Sequence, residues 1–327
     1  MSRTSPSEST ASPSPRKPVV ASLCGTYLKP EMQSLYRQIA NLNEFRNIVI
    51  AEQVQNEDQF PFDPIVRMTK LQRPKPRGNF LLRFWYKHVT SQWPPPRKIT
   101  TERPFYPYNI HDLLTDHGVD VAHVYYGHKA VKYLPMLRKW GGPWVVSFHG
   151  VDVIKFIDDE GYVDQLNEVF AEARLVLARS ESLLAALRDL GCPENKLRIN
   201  RTPIPLNAIP FAQRQAPPDG QWRLIQACRL IAKKGLFTTL KALPLVIERF
   251  PNLKFIVCGQ GPQEQEFRKR IAAAGLENNV ELVGWLSQGE LLDRYQQSHV
   301  FLHPSELTKS ADQEGVPNSM LEAMASG

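Results

Sequence analysis

The sequence lacks the features that would place it in several large classes. It holds four cysteines in 327 residues (Cys24, Cys192, Cys228 and Cys258), and they are scattered without metal-ligand spacing. That argues against a disulfide framework and fits reduced, packed thiols in a cytosolic protein. No run of about 18 apolar residues occurs, so no membrane-spanning helix is expected. No charged-then-apolar leader is visible either. Residues 1–17, "MSRTSPSESTASPSPRK", are a Ser/Pro/Thr tract that cannot bury surface and is expected to be disordered.

Acids are missing from one stretch in particular. Between Arg67 and Arg103 ten Lys/Arg face one acid, Glu102, so this stretch carries +9 while the whole chain carries +7. The remainder is therefore near −2. Within the stretch, "RGNFLLRFWYKHVTSQWPPPRK" interleaves five aromatics with the cations. Such composition fits an element resting on an anionic membrane surface, or contact with a lipid-linked acceptor. It describes equally a basic helix that packs on its own domain. Nucleic acid, the other usual partner of basic-aromatic segments, is not expected.

What is present is an alternation. "VVASLCG" (19–25), "NIVIAEQ" (47–53), "VDVAHVYYG" (119–127), "WVVSFHG" (144–150), "RLVLARS" (174–180) and a short run near "KLRIN" read as strands with helical segments between. Their apolar runs are continuous rather than alternating, as in strands covered on both faces, which implies parallel βαβ units. "TPIPLNAIPFAQRQAPPDG" (202–220), with five prolines and no period, reads as a linker. The pattern then restarts with "WRLIQACRL" (222–230), "LKFIVCG" (253–259), "VELVGWL" (280–286) and "VFLHPS" (300–305). The fold class is therefore α/β, two doubly wound Rossmann-like domains facing a cleft. The expected boundaries are a tail at 1–17, a first domain at 18–205 with its basic insertion near 67–103, a linker at 206–221, and a second domain at 222–327. Four strands in the second domain are fewer than the six such a domain usually has, so it reads as incomplete.

Three segments of the second domain carry the chemistry. In "RLIAKKG", Arg229 and Lys234 stand five apart across a turn, so both cations can converge on one diphosphate, although lone KK pairs are more often solvated. In "GQGP", Gly259 and Gly261 follow a strand and permit close backbone approach to a ligand, a weak signal alone. In "EGVPNSMLEAMASG", Pro317 suits the first helical position, which leaves the N–H groups of Asn318, Ser319 and Met320 pointing out of a helix start. Glu322 lies on the same face as Asn318 and Ser319 and suits a pair of neighbouring hydroxyls, with Leu321 and Met324 turned to a core. Glu314 sits just outside the helix, where Gly315 lets backbone come close. An acidic, proline-started helix is the plain alternative.

These segments, with "VELVGWLSQGELLDRYQQSHVFLHPS", occur in the order and spacing that resembles the second domain of retaining GT-B glycosyltransferases of the group 1 (family 4) type. "SFHGVD" (147–152) is similar to the family's histidine-glycine motif, "GTYLKPEMQ" lies where its first glycine loop would be, and the final motif looks most like bacterial exopolysaccharide enzymes of the colanic-acid type.

The resemblance implies roles. Arg229 and Lys234 would neutralise the diphosphate of a UDP- or GDP-sugar, and Glu322 would hold its ribose. Glu314 with the backbone of Gly315, Val316, Pro317 and Asn318 would hold the sugar and its phosphate, and Gly259 and Gly261 would border it. His149 would reach the sugar from the first domain, and Gly25 would let the first loop approach. No cofactor and no essential metal are implied. The acceptor would be a glycan or a lipid-linked glycan, and the location cytoplasmic, at the inner face of the cell membrane where the basic stretch touches it. Front-face substitution and double displacement both stay open. A GT-B nucleotide-sugar epimerase and an inactive nucleotide-sugar-binding fragment are the alternatives, the latter because family chains continue beyond this glycine.

Overall fold

The structure, a computed structural model, describes residues 16–29, 32–71, 106–154, 159–308 and 316–327. Residues 1–15 of the tail and most of the basic stretch therefore lie outside the described residues, as do Glu314 and Gly315.

The first half is built on one parallel sheet. β1 (Val19–Tyr27), β2 (Arg46–Val54), β3 (Ile65–Arg67), β4 (Val121–Tyr125), β5 (Trp144–Phe148), β6 (Leu175–Ala178) and β7 (Leu197–Ile199) line up in the order β3-β2-β1-β4-β5-β6-β7. The helices between them are α1 (Gln33–Ala40), α2 (Ile110–Asp116), α3 (Gly127–Trp140), the short α4 (Val151–Ile154), α5 (Tyr162–Glu172) and α6 (Glu181–Asp189). β1 is buried along almost its whole length, and Ile48, Ile50, Val124, Val146 and Phe148 are fully buried beside it. That is why these strands read as unbroken apolar runs: both faces are covered. β3 was not expected. It occupies the approach to the basic stretch, and its three residues are too few to show a period.

The second half repeats the plan. β8 (Arg223–Ala227), α7 (Leu236–Arg249), β9 (Lys254–Cys258), α8 (Glu264–Ala273), β10 (Val280–Gly284), α9 (Gln288–Gln296), β11 (Val300–Phe301) and α10 (Asn318–Ser326) follow one another, with the strands in the parallel order β10-β9-β8-β11. α9 opens with a capping box, in which the Ser287 hydroxyl accepts from the Glu290 N–H while the Glu290 carboxylate accepts from the Ser287 N–H. The four cysteines are free thiols, and burial pushes Cys24 and Cys258 up to about 12, which makes them packing residues rather than nucleophiles. Among the described residues no helix is long and apolar enough to cross a membrane.

Two details of α10 differ from the sequence expectation. Pro317 is the N-cap rather than the first helical residue, so its carbonyl takes the Met320 N–H at 3.1 Å and that group does not point out of the helix start. Met324 is 69% exposed, and Glu322 and Ser326 face inward instead, with Ala323 packed against Tyr295 and Phe301. A nine-residue helix gives the period but not its phase, and here apolar content pointed to the wrong face.

Candidate functional site

Open parallel sheets bind ligands beyond the carboxyl ends of their strands, at the point where strand order reverses. In the first sheet that point lies between β1 and β4. A hollow lined by Arg223, Lys254 and Glu281 sits at the amino ends of the second sheet and is not in such a place.

At the reversal point β4 is followed by Tyr126, whose φ of 79° is the left-handed conformation that bulky residues avoid. Strain of this kind persists only where the surroundings impose it, and it concentrates at functional sites. One buried carboxylate does the imposing. Asp152 is fully buried, its Oδ2 accepts the Gly127 N–H at 2.7 Å, and its Oδ1 accepts the His149 N–H at 3.0 Å. It thereby ties the end of β5 to the start of α3. Burial raises the Asp152 pKa, against the opposing effect of these backbone bonds.

His149 follows β5 directly. Its ring lies 4.5 Å from that of Tyr126, and its Nδ1 accepts from Arg179 Nη1 at 3.4 Å. Burial first, then the charge of Arg179, holds its pKa well below the ordinary value. The ring is thus neutral at pH 7. Since an arginine can only donate, the remaining proton sits on Nε2, which is buried and has no hydrogen-bond partner among the described residues. In that tautomer the ring's N–H is the buried Nε2–H.

Gly25 lies in β1 against a side chain of α3. A Cβ there would run into the Lys129 side chain, whose Nζ reaches Glu52 at 2.9 Å. Burial alone would raise the Glu52 carboxyl, but hydrogen bonds from Lys132, Tyr133, Lys129 and Tyr108 outweigh it and hold the group at about 2.

The second sheet brings most of the predicted donor residues to its carboxyl edge. Arg229 leaves β8 exposed, Lys234 ends a 3-10 turn (Ala232–Lys234), and Gly235 closes that turn at φ 64°. Only glycine fits there, because a Cβ would meet the Pro304 carbonyl. The loops after β8 and β9 are stitched together. Cys228 N–H donates to Cys258 O at 3.0 Å, Leu230 N–H to Gln260 O at 3.0 Å, and Gln263 N–H to Leu230 O at 3.0 Å. The close backbone approach expected of Gly259 and Gly261 is made to the chain itself, to Cys228 and Leu230. These glycines fix the loop that carries Arg229. Val316 is exposed, Pro317 buried, and Asn318 Oδ1 is buried without a hydrogen-bond partner among the described residues.

Glu322 is only 4% exposed, and its Oε1 lies 2.7 Å from Arg37 Nη1, with Arg37 7% exposed on α1. The two halves meet at this pair. Arg37, Asp152, Tyr126, Arg179 and Lys129 are not singled out by the sequence, although Asp152, Tyr126 and Arg179 lie inside the segments quoted above. Among the described residues no group of three or more His, Cys, Asp or Glu is placed to hold a metal ion.

The architecture, two facing Rossmann-like sheets of parallel strands, is that of GT-B proteins. The chain is similar over 94% of its length to HepE of Anabaena, solved with UDP and glucose, at a TM-score of 0.66 and 16% identity, covering 78% of that chain. It is similar over 95% of its length to sucrose-phosphate synthase of Thermosynechococcus elongatus, at a TM-score of 0.62 and 16% identity, covering 80% of that chain. Residues 65–208 match Glycosyltransferase Family 4 and residues 210–327 match Glycosyl transferases group 1. The chain carries the two glycosyltransferase domains that these family models describe. Among relatives, the amylovoran biosynthesis glycosyltransferase AmsK of Erwinia amylovora is 28% identical over 212 residues, 64% of this chain and 52% of AmsK. WcaL of Escherichia coli K12, named for colanic acid biosynthesis, is 28% identical over 218 residues, 66% of this chain and 53% of WcaL. The chain spans about half the length of these relatives.

Proposed function

We propose that the protein transfers a sugar, with retention, from a UDP- or GDP-sugar to a glycan or lipid-linked acceptor in exopolysaccharide biosynthesis. The observation that carries this reading is the second sheet's carboxyl edge. Arg229, the turn ending in Lys234, the glycine-stitched loop and α10 gather there in a chain that matches glycosyltransferase families in both halves.

In this reading Arg229 and Lys234 take the diphosphate and steady it as it departs, the largest electrostatic contribution such a reaction needs. They supply cationic charge without a metal. Glu322 takes the ribose hydroxyls. His149 donates its Nε2–H to a hydroxyl of the sugar, which positions the ring and leaves the acceptor's proton to the departing phosphate. Glu314 would lie beside the sugar. UDP-glucose is the first donor to try, because the HepE neighbour carries UDP and glucose.

The test is label transfer from UDP- and GDP-sugars to lipid-linked glycan prepared from an exopolysaccharide-producing strain, with product anomers read by NMR. Acceptor-dependent release of nucleoside diphosphate with a retained anomer is the expected result. Release of nucleotide and free sugar without acceptor would instead support the epimerase reading, and tight nucleotide binding without turnover an inactive binder.

A cytoplasmic protein touching the inner membrane face is part of the same proposal, and it rests on the charge of residues 67–103. The protein should co-sediment with anionic vesicles. A variant with Arg83, Lys87, Arg97 and Lys98 neutralised should stay in the supernatant, and equal retention of the two would remove the membrane from the proposal.

A further inference from the structure

Tyr126 holds a backbone conformation that suits glycine. Its φ of 79° goes with a ψ of 132°, a region that side chains with a Cβ avoid. Among the described residues every other positive φ belongs to a glycine or to Asn56, and asparagine tolerates it. The backbone there has no room to relax. The Tyr126 N–H donates to the Ser147 carbonyl of β5 at 2.8 Å, and its own carbonyl accepts the Lys129 and Ala130 N–H groups of α3 at 3.0 and 3.1 Å. The next residue, Gly127, donates to Asp152 and cannot carry a side chain, since a Cβ would run into the Phe148 ring. A glycine at 126 would meet all these demands without strain. What tyrosine adds is its side chain.

That side chain packs on His149. The two ring centroids are 4.5 Å apart, against 6.2 Å from His149 to Tyr125. His149 has its main chain fixed by Asp152, whose Oδ1 accepts the His149 N–H at 3.0 Å. That bond leaves the rotation of the imidazole open. The contact of Nδ1 with Arg179, at 3.4 Å, is too long to set the rotation alone. The ring of Tyr126 is at a separation where aromatic pairs attract and prefer particular orientations.

We propose that Tyr126 is a positioning residue for His149: its ring, carried on a strained backbone, holds the imidazole in one orientation with Nδ1 toward Arg179. Its consequence for the reaction rests on the reading that His149 meets the donor sugar. Tyr126 itself touches no reacting atom. The charged and titratable groups around His149 are Arg179 after β6, Asp152 of α4, and His123, Tyr125 and Tyr126 along β4 and its end. A ring at 4.5 Å also keeps water from the imidazole, and burial is the first cause of its low pKa.

The histidine ring resonances of the full chain test this, with His149 identified by the signal lost in His149→Gln. They are compared in wild type, Tyr126→Phe, Tyr126→Ala and Tyr126→Gly. Tyr126→Phe should keep the wild-type shifts and titration. Tyr126→Ala and Tyr126→Gly should move the His149 shifts and let its pKa rise toward the ordinary histidine value as water reaches the ring. Both lose the ring, so their melting temperatures isolate the backbone. Tyr126→Gly should melt above Tyr126→Ala, the reverse of the usual order of these residues. With a UDP- or GDP-sugar that turns over, both should lower kcat by about tenfold or more and change KM little, the scale of a small misplacement near the chemistry. Unchanged His149 shifts and titration in Tyr126→Ala and Tyr126→Gly would overturn the proposal, as would Tyr126→Ala melting at or above Tyr126→Gly. If the shifts move while turnover is unaffected by these variants and by His149→Gln, the positioning stands and the reading of His149 against the sugar fails.

Discussion

Asp152→Ala is expected to lower the stability of the first half by about 2–6 kcal/mol, since it leaves two buried N–H donors without acceptors at about 1–3 kcal/mol each. The donors are those of Gly127 and His149, and both hydrogen bonds converge on one fully buried carboxylate. The loss is not confined to stability. Asp152 holds the end of β5 against the start of α3, and with it the left-handed Tyr126 and the ring of His149. Its removal frees the His149 ring to leave its place beside Tyr126. Asp152→Asn, which keeps one acceptor oxygen, should fall between the two. The measurement is a thermal or urea transition followed by a probe in the first half, because two halves need not unfold together. A transition within about 0.5 kcal/mol of wild type, the range of an ordinary surface substitution, would show that Asp152 is not the tie described.

Arg37→Ala alone and Glu322→Ala alone should each cost about 3–5 kcal/mol, because either leaves the other charge buried and unpaired. Replacing both at once, as Arg37→Met with Glu322→Leu, should return stability to near wild type or above, since the desolvation of two ions then disappears with their attraction. The sign pattern is the prediction: two harmful single changes and a mild double. It follows from the burial of both side chains and their 2.7 Å contact. Exposed pairs such as Arg201 with Glu181 should show no such pattern. Additive single effects in the double variant would mean that the pair is broken in solution and that the halves stand apart.

The strands of both sheets could be read from sequence because burial on both faces writes itself as continuous apolar runs. Glycines marked the loops correctly, yet their purpose was hidden. Gly259 and Gly261 meet the backbone of Cys228 and Leu230, which are adjacent only because β8 pairs with β9. Gly25 makes room for Lys129, which comes from another strand's helix. Arg37 sits in "QSLYRQIA" and looks like any polar residue on an amphipathic helix; nothing local reveals that its partner lies in the last helix of the chain. Pairing across two halves is a property of topology, and a single sequence carries no record of it. Helical spacing sets Glu322 on one face with Asn318 and Ser319, and it does not show that Glu322 is buried against Arg37 of α1.

The central claim is that the carboxyl edge of the second sheet is a nucleoside-diphosphate site. Calorimetric titration of the chain with UDP-glucose, UDP and GDP, beside Arg229→Ala, tests it most directly. Arg229 is exposed, so its loss disturbs no packing, and a change in affinity reports the ligand alone. One of these ligands should bind the wild type, and Arg229→Ala should weaken it about tenfold or more, the effect of a charge-assisted hydrogen bond to phosphate at about 1.5–3 kcal/mol. Equal affinity of the wild type and Arg229→Ala would contradict the account.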